Sequence, residues 1–268
     1  MHGKGINYDT GTSPSGRNSR ERFDPEAVRR DGADVVLVTG CELSTFAEGF
    51  IPGEDAYARM ATMSSGDPEL WRSLAEVPAK MNAFFAEVAA TVRKRFSGPV
   101  TYAAGPWETL DWSPFDLVSI DAYRAAYNQA NYREELRRHF EHGKPVVATE
   151  FGCCTYRGAA DAGATGWMII DRSVEPPAIK GDYQRDEGEQ VRYLRELLEI
   201  FEQEGLHSAF WFNFAGYHVP HRADPRYDLD LASYGVVKVL ENGAGREYPD
   251  MGWEPKEVFH ALAAAYAD

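Results

Sequence analysis

Pro145-Val146-Val147-Ala148-Thr149-Glu150-Phe151-Gly152 is the stretch from which the fold is read. Lys144-Pro145 opens it, Gly152 closes it, and the residues between are mostly small or β-branched, the composition of a short buried strand. That strand delivers a glutamate at its C-terminal end. Burying a carboxylate is costly unless it is paired or needed there. The segment alone therefore leaves two readings, a functional group or an ion pair with a nearby Arg or Lys. A second segment, Val35-Val36-Leu37-Val38-Thr39-Gly40-Cys41-Glu42, has the same form. Two apolar strands that each end in Glu are what a paired-carboxylate enzyme on a parallel barrel requires.

The chain has 268 residues, enough for one large domain or two small ones with a substantial core. With 28 Lys and Arg against 42 Asp and Glu, its formal net charge is −14. That balance argues against nucleic-acid binding, which needs a basic face to release counterions, and against adhesion to anionic membranes. No apolar run approaches the ~18–20 residues that span a bilayer. Met1-His2-Gly3-Lys4 lacks an apolar core segment, so no secretory signal is expected. Cys41, Cys153 and Cys154 do not make a disulfide framework, and the expectation is a reduced, cytoplasmic protein.

Along the chain, Gly5-Ile6-Asn7-Tyr8-Asp9 reads as a short strand and residues 10–20 as loop. Asp24-Pro25-Glu26 and Asp67-Pro68-Glu69 both carry a helix-start signal. From Leu70 to Val92, apolar residues including Met81, Phe84 and Val88 recur at helical spacing, interrupted by Pro78, which should kink or split the run. Val100–Ala104 is the next strand, with Trp107 and Glu108 just beyond it. Phe115–Tyr123 follows, placing Asp121 and Tyr123 on one face by period two. After a polar helix over 131–142 comes the Glu150 strand. The loop 153–186 has the length at which a connection is expected to carry a function. A helix over 186–204, an aromatic strand over Ala209–Ala215 containing Trp211 and Asn213, and a last helix beginning at Glu254-Pro255 complete the reading. Alternation of strands and helices predicts parallel βαβ units. No G-x-G-x-x-G or G-x-x-x-x-G-K-[ST] is present, so a nucleotide-binding sheet is disfavoured, and no cofactor is expected.

These residues resemble the clan A retaining glycoside hydrolases, which are TIM (β/α)8 barrels. In that clan the acid/base Glu ends strand four and the nucleophile Glu ends strand seven. Here Glu42 ends one strand and Glu150 ends the third strand after it. The resemblance implies a single glycosidase-like barrel over residues 1–268, with Glu42 as acid/base and Glu150 as nucleophile. It places Tyr123 where many members carry a Tyr near the nucleophile, and the aromatic strand around Trp211 at strand eight, where the clan usually has a sugar-facing aromatic. More closely, the chain is similar to bacterial proteins labelled abortive infection proteins, through Lys4-Gly5-Ile6-Asn7-Tyr8-Asp9, Thr39-Gly40-Cys41-Glu42-Leu43-Ser44, Glu150 to Ala159 and Asp228 to Leu240.

Two departures stand out. The clan's motif is Asn-Glu, but Cys41 precedes Glu42. Only six main strands are read, as strands one, four, five, six, seven and eight. At ~30 residues per βα unit, about 60–80 residues for strands two and three are missing near Arg30-Asp31. Such a barrel exposes sheet edges through which it can pair with another chain.

The mechanism implied is double displacement on a carbohydrate or glycoconjugate. Tyr123, Asp121 and Asn213 orient Glu150 or bind the substrate, and Trp107 and Trp211 stack on it. The partner expected is thus a small glycoside or an oligosaccharide. The alternative is a non-catalytic, glycosidase-like binding protein in a phage-response setting, which Cys41 and the missing units favour. Two weaker clusters complete the search. His218 and His221 with Asp224 and Asp228 match no specific metal motif and read as a solvated loop, so no metal is expected. Cys153 and Cys154 read as buried, inert thiols.

Overall fold

The computed structural model describes residues 3–7, 37–40, 68–73, 75, 77–106 and 108–267. In chain order these form β1 (Gly3–Asn7), β2 (Leu37–Gly40), α1 (Pro68–Ser73), α2 (Val77–Arg93), β3 (Val100–Ala104), β4 (Val118–Asp121), α3 (Tyr132–His139) and β5 (Val146–Phe151). There follow α4 (Ala159–Ala162), β6 (Ile170–Asp171), β7 (Ala178–Ile179), α5 (Glu187–Glu204), β8 (Ser208–Phe212), β9 (Val237–Val239), β10 (Trp253–Pro255) and α6 (Glu257–Tyr266). The chain divides into two compact units, one of residues 1–22, 121–141 and 146–268, the other of residues 23–120 and 142–145. Each pairs parallel strands with helices, so the fold is α/β. Among the described residues no helix is long and apolar enough to cross a membrane.

In the second unit β3 pairs in parallel with both β2 and β4. The apolar run from Leu70 to Val92 is split as Pro78 requires. That proline lies in the first turn of α2, where its missing N–H costs nothing. Met81, Phe85 and Ala89 are the buried face of α2, whereas Phe84 is 43% exposed. The core stripe is therefore one residue out of phase with the sequence reading at this point. Phe85 packs on Tyr102 of β3, with ring centroids 4.3 Å apart.

In the first unit the parallel order is β1–β8–β5. Phe151 of β5 and Trp211 of β8 are register neighbours, both with no exposed surface. Their rings meet edge to face at 5.4 Å and 77°. Helix α5 covers them, Phe201 at 5.1 Å from Phe151 and Tyr193 at 6.4 Å from Trp211. The helix starts where the sequence predicts. Asp186 caps it, accepting from Glu189 N at 3.2 Å, and Gly205 ends it in the left-handed conformation.

Two sequence expectations are corrected. Glu254-Pro255 does not begin a helix: it closes β10, which pairs antiparallel with β9, and α6 begins at Glu257. Proline is tolerated there because a two-stranded ribbon has edge positions that need no N–H. The loop 153–186 is not structureless, since it contains α4, a 3-10 turn over Gly163–Ile169 and the β6–β7 ribbon.

Behind β9 lies a charge network. Arg185 Nη2 reaches Asp228 Oδ2 at 2.8 Å and Asp230 Oδ2 at 2.9 Å, and Lys256 Nζ reaches Asp230 Oδ1 at 3.0 Å. His221 Nδ1 lies 2.9 Å from Asp228 Oδ1. Burial works to raise the Asp228 carboxyl, but the His221 hydrogen bond and the Arg185 charge outweigh it and hold the group below its ordinary value. A carboxyl lowered by folding stabilises the fold above its unfolded pKa of ~3.9, and that stability is lost as pH falls through the folded value. Urea midpoints should therefore drop steeply below pH ~4 in the wild type. The gap between wild type and Asp228→Asn should narrow over that range, and a constant gap would contradict the assignment.

Candidate active site

Glu150 sits at a fault in the sheet. Ala148 pairs with Ala209 and Phe151 with Trp211, so two residues of β5, Thr149 and Glu150, face one residue of β8. A bulge of this kind turns a side chain out of the regular alternation. Phe151 and Thr149 are buried, while Glu150 is half-exposed. Gly152 follows because nothing larger fits: a Cβ there would lie 2.7 Å from the Phe212 carbonyl oxygen.

The segment after β4 meets this end of β5. Ala122 N donates to the Glu150 carbonyl at 2.6 Å. Tyr123 Oη donates to Glu150 Oε2 at 3.2 Å. Burial pushes the Tyr123 phenol well above its ordinary range and the Glu150 charge adds to the effect, so at neutral pH it is a donor. Asp121 lies beside the same strand, 3.5 Å from Thr149 Oγ1. The backbone carrying Tyr123 is held from three sides. Tyr132 Oη donates to Ala122 O at 2.7 Å, Tyr193 Oη accepts from Arg124 N at 2.8 Å, and Asn128 Nδ2 donates to Tyr123 O at 3.1 Å. Helices α3 and α5 thus fix a tyrosine against a carboxylate at the C-terminal end of a parallel strand, the end where α/β barrels keep their sites.

Asn213, immediately beyond β8, is buried, and its Oδ1 has no hydrogen-bond partner. Its backbone carbonyl accepts from Val236 N at 3.0 Å. A buried amide oxygen left unpaired costs about 1–3 kcal/mol. Trp211 is different. It has no exposed surface, and its indole N–H donates to the Tyr234 carbonyl at 2.9 Å. It belongs to the core under α5, and the expected stacking role is corrected on that ground. The neighbour on the opposite side of β8, Phe212, is half-exposed.

Of the residues expected at the site, Tyr123 and Glu150 are brought into contact and Asp121 lies against Thr149. Glu42 and Trp107 lie outside the described residues. One neighbour of Tyr123 was not anticipated. Tyr234 packs edge to face on both Tyr123 and Phe212, each at 5.9 Å. In the second unit, Glu108 accepts from Tyr102 Oη at 2.8 Å and from Gly105 N at 2.7 Å. Burial outweighs both bonds and holds its carboxyl above the ordinary value. Cys153 and Cys154 are buried and unpaired, and burial drives both thiols up, away from the reactive thiolate. Among the described residues no group of His, Cys, Asp and Glu is arranged to hold a metal.

No protein-family model matches the chain, and no curated protein matches it. Solved structures do. A GH113 β-1,4-mannanase determined as a complex gives a TM-score of 0.50 at 14% identity, over 79% of this chain and 72% of that one. Another GH113 β-1,4-mannanase structure gives 0.49 at 16% identity, over 70% of this chain and 52% of that one, so the chain spans about half of its length. A β-glucuronidase from Ruminococcus gnavus gives 0.41 at 18% identity, over 69% of this chain and 29% of that one. At these identities the likeness is one of fold: the chain shares an α/β fold with a glycoside hydrolase.

Proposed function

We propose that the chain acts as a retaining glycoside hydrolase, with Glu150 as nucleophile and Glu42 as acid/base. The observation that carries this reading is the hydrogen bond from Tyr123 to Glu150 at the bulged end of β5. The tyrosine donor holds Oε2 of the carboxylate, and Oε1 is assigned the attack. In the first step that oxygen bonds to the anomeric carbon, the bond to the leaving oxygen breaks, and Glu42 gives its proton to the leaving group. In the second, water attacks the anomeric carbon, Glu42 takes the water's proton, and the glycosyl–Glu150 bond breaks. Asn213 accepts from a sugar hydroxyl, Asp121 supports the same subsite, and Trp107 supplies a stacking face. The substrate is a β-glycoside or oligosaccharide, and β-mannosides are the first to try, since the mannanase fold is shared.

The same proposal carries the wider reading. The fold is a (β/α) barrel without its second and third units, completed in part by association with another chain, in a cytoplasmic protein of the kind labelled abortive infection protein. A panel of aryl β-glycosides assayed with wild type and Tyr123→Phe tests the site. Loss of the phenol donor should lower kcat by roughly 10²-fold, the scale of removing one donor to a charged reacting group. KM should move little, because the bond is made to the nucleophile and not to the substrate. A panel that gives no turnover, with sugar binding intact by calorimetry, would replace hydrolysis with the binding-protein reading.

A further inference from the structure

Tyr234 lies far from Glu150 in sequence, in the segment between β8 and β9, and nothing in the proposed chemistry requires it. Its side chain nevertheless joins Tyr123, β8 and the loop 153–186. Its ring meets Tyr123 at 5.9 Å and 75°, and Phe212 at 5.9 Å and 64°. Its hydroxyl donates to the Gly163 carbonyl at 2.6 Å. Its own carbonyl accepts from Trp211 Nε1 at 2.9 Å. Gly163 in turn presses on the segment that carries Tyr123. Its φ is +54°, and a Cβ there would lie 2.8 Å from the Ala125 side chain and 3.0 Å from the Arg124 carbonyl oxygen. Tyr123, Tyr234, Gly163 and Ala125 thus form a closed ring of contacts within one unit.

A tyrosine side chain has two soft torsions. Hydrogen bonds hold the backbone around Tyr123, but they leave its ring free to turn about Cα–Cβ. The bond from its hydroxyl to Glu150 and the groups packed on the ring restrain that turn. The Tyr234 edge is such a restraint, and it is itself fixed at both ends, by its hydroxyl on the loop and its carbonyl on β8. We propose that Tyr234 is a positioning residue: its ring holds the Tyr123 phenol on Glu150, and its hydroxyl sets that ring in register with the loop 153–186.

The proposal rests on reading Glu150 as the working carboxylate, but its test does not need turnover. In protein labelled with ¹³C at tyrosine Cζ, the Tyr123 signal should shift between wild type and Glu150→Gln, reporting the hydrogen bond. The same comparison is made in Tyr234→Phe, which keeps the ring, and Tyr234→Leu, which does not. The response should persist in the Phe background and be lost in the Leu background. A response that persists with leucine overturns the proposal, whether or not the protein hydrolyses any glycoside. If Tyr234→Leu gives no cooperative thermal melt, Tyr234→Met takes its place under the same criterion. Where hydrolysis is measurable, Tyr234→Leu should lower kcat at least ~10-fold with KM little changed, and Tyr123→Phe/Tyr234→Leu should be no slower than Tyr123→Phe alone. Additive losses in that pair count against the proposal. A wild type with no turnover but with the expected NMR pattern sinks the hydrolase reading and leaves the positioning role standing.

Discussion

Glu150→Gln is expected to lose activity by ~10⁴-fold or more on any glycoside the wild type cleaves. The substitution keeps the shape of the side chain, so Tyr123 still has an oxygen to bond. What it removes is the negative charge that makes the oxygen a nucleophile able to form the glycosyl–enzyme bond. The loss should therefore appear in kcat with the fold intact, as judged by an unchanged thermal melt. Glu150→Gly with added azide separates a nucleophile from a supporting carboxylate. Azide occupies the space left by the side chain, attacks the anomeric carbon of an activated aryl glycoside and expels the phenolate. The product is a glycosyl azide of inverted configuration. Recovery of the free sugar alone, with no azide adduct and no rate increase, would assign Glu150 a supporting role.

The Glu150 strand was legible because its composition is that of a buried strand and its carboxylate has no place in one. β1, β3, β5 and β8 fall within a few residues of their expected places for the same reason, apolar runs between Gly and Pro. The pairing of Tyr123 with Glu150 was anticipated from resemblance, and period-two spacing had already put Tyr123 at a strand end. What could not be read is instructive. The bulge at Thr149–Glu150 depends on which residues of β8 stand opposite, and a single strand carries no record of its partner's register. Trp211 and Phe212 are both large aromatics on one strand, and their faces are decided by α5, whose Phe201 and Tyr193 cover one of them. Tyr234 meets Tyr123 and Phe212 through contacts that nothing local announces. Pro255 misled because Glu-Pro opens helices often, whereas here β9 claims the segment first.

The largest stability effect is expected at Lys256, which has no exposed surface. Its ammonium donates to Thr155 Oγ1 at 2.8 Å and pairs with Asp230 Oδ1 at 3.0 Å. Burial pushes the Lys256 ammonium down and the Asp230 carboxyl up; the attraction between them opposes both shifts, while Arg185 on the far oxygen opposes the rise of Asp230 and adds to the fall of Lys256. Thr155 lies just past Glu150, and its backbone N–H donates to Leu231 O at 3.0 Å. The ion pair therefore fastens the exit of β5 to the start of α6 and to the segment leading to Tyr234. Lys256→Met keeps most of the volume and removes the charge, leaving Asp230 in the interior with one cation instead of two. Breaking a buried pair from one side costs about 3–5 kcal/mol, a large share of a typical folding free energy of about 5–15 kcal/mol. The pair itself contributes less than that figure, because both charges were desolvated to make it. The double variant Lys256→Met/Asp230→Leu should accordingly be more stable than Lys256→Met alone, and urea denaturation of the three proteins at pH 7 measures the difference. A Lys256→Met midpoint shift worth less than ~1 kcal/mol, the scale of an exposed pair, would mean that water reaches this network and that the anchor behind the site is not an interior one.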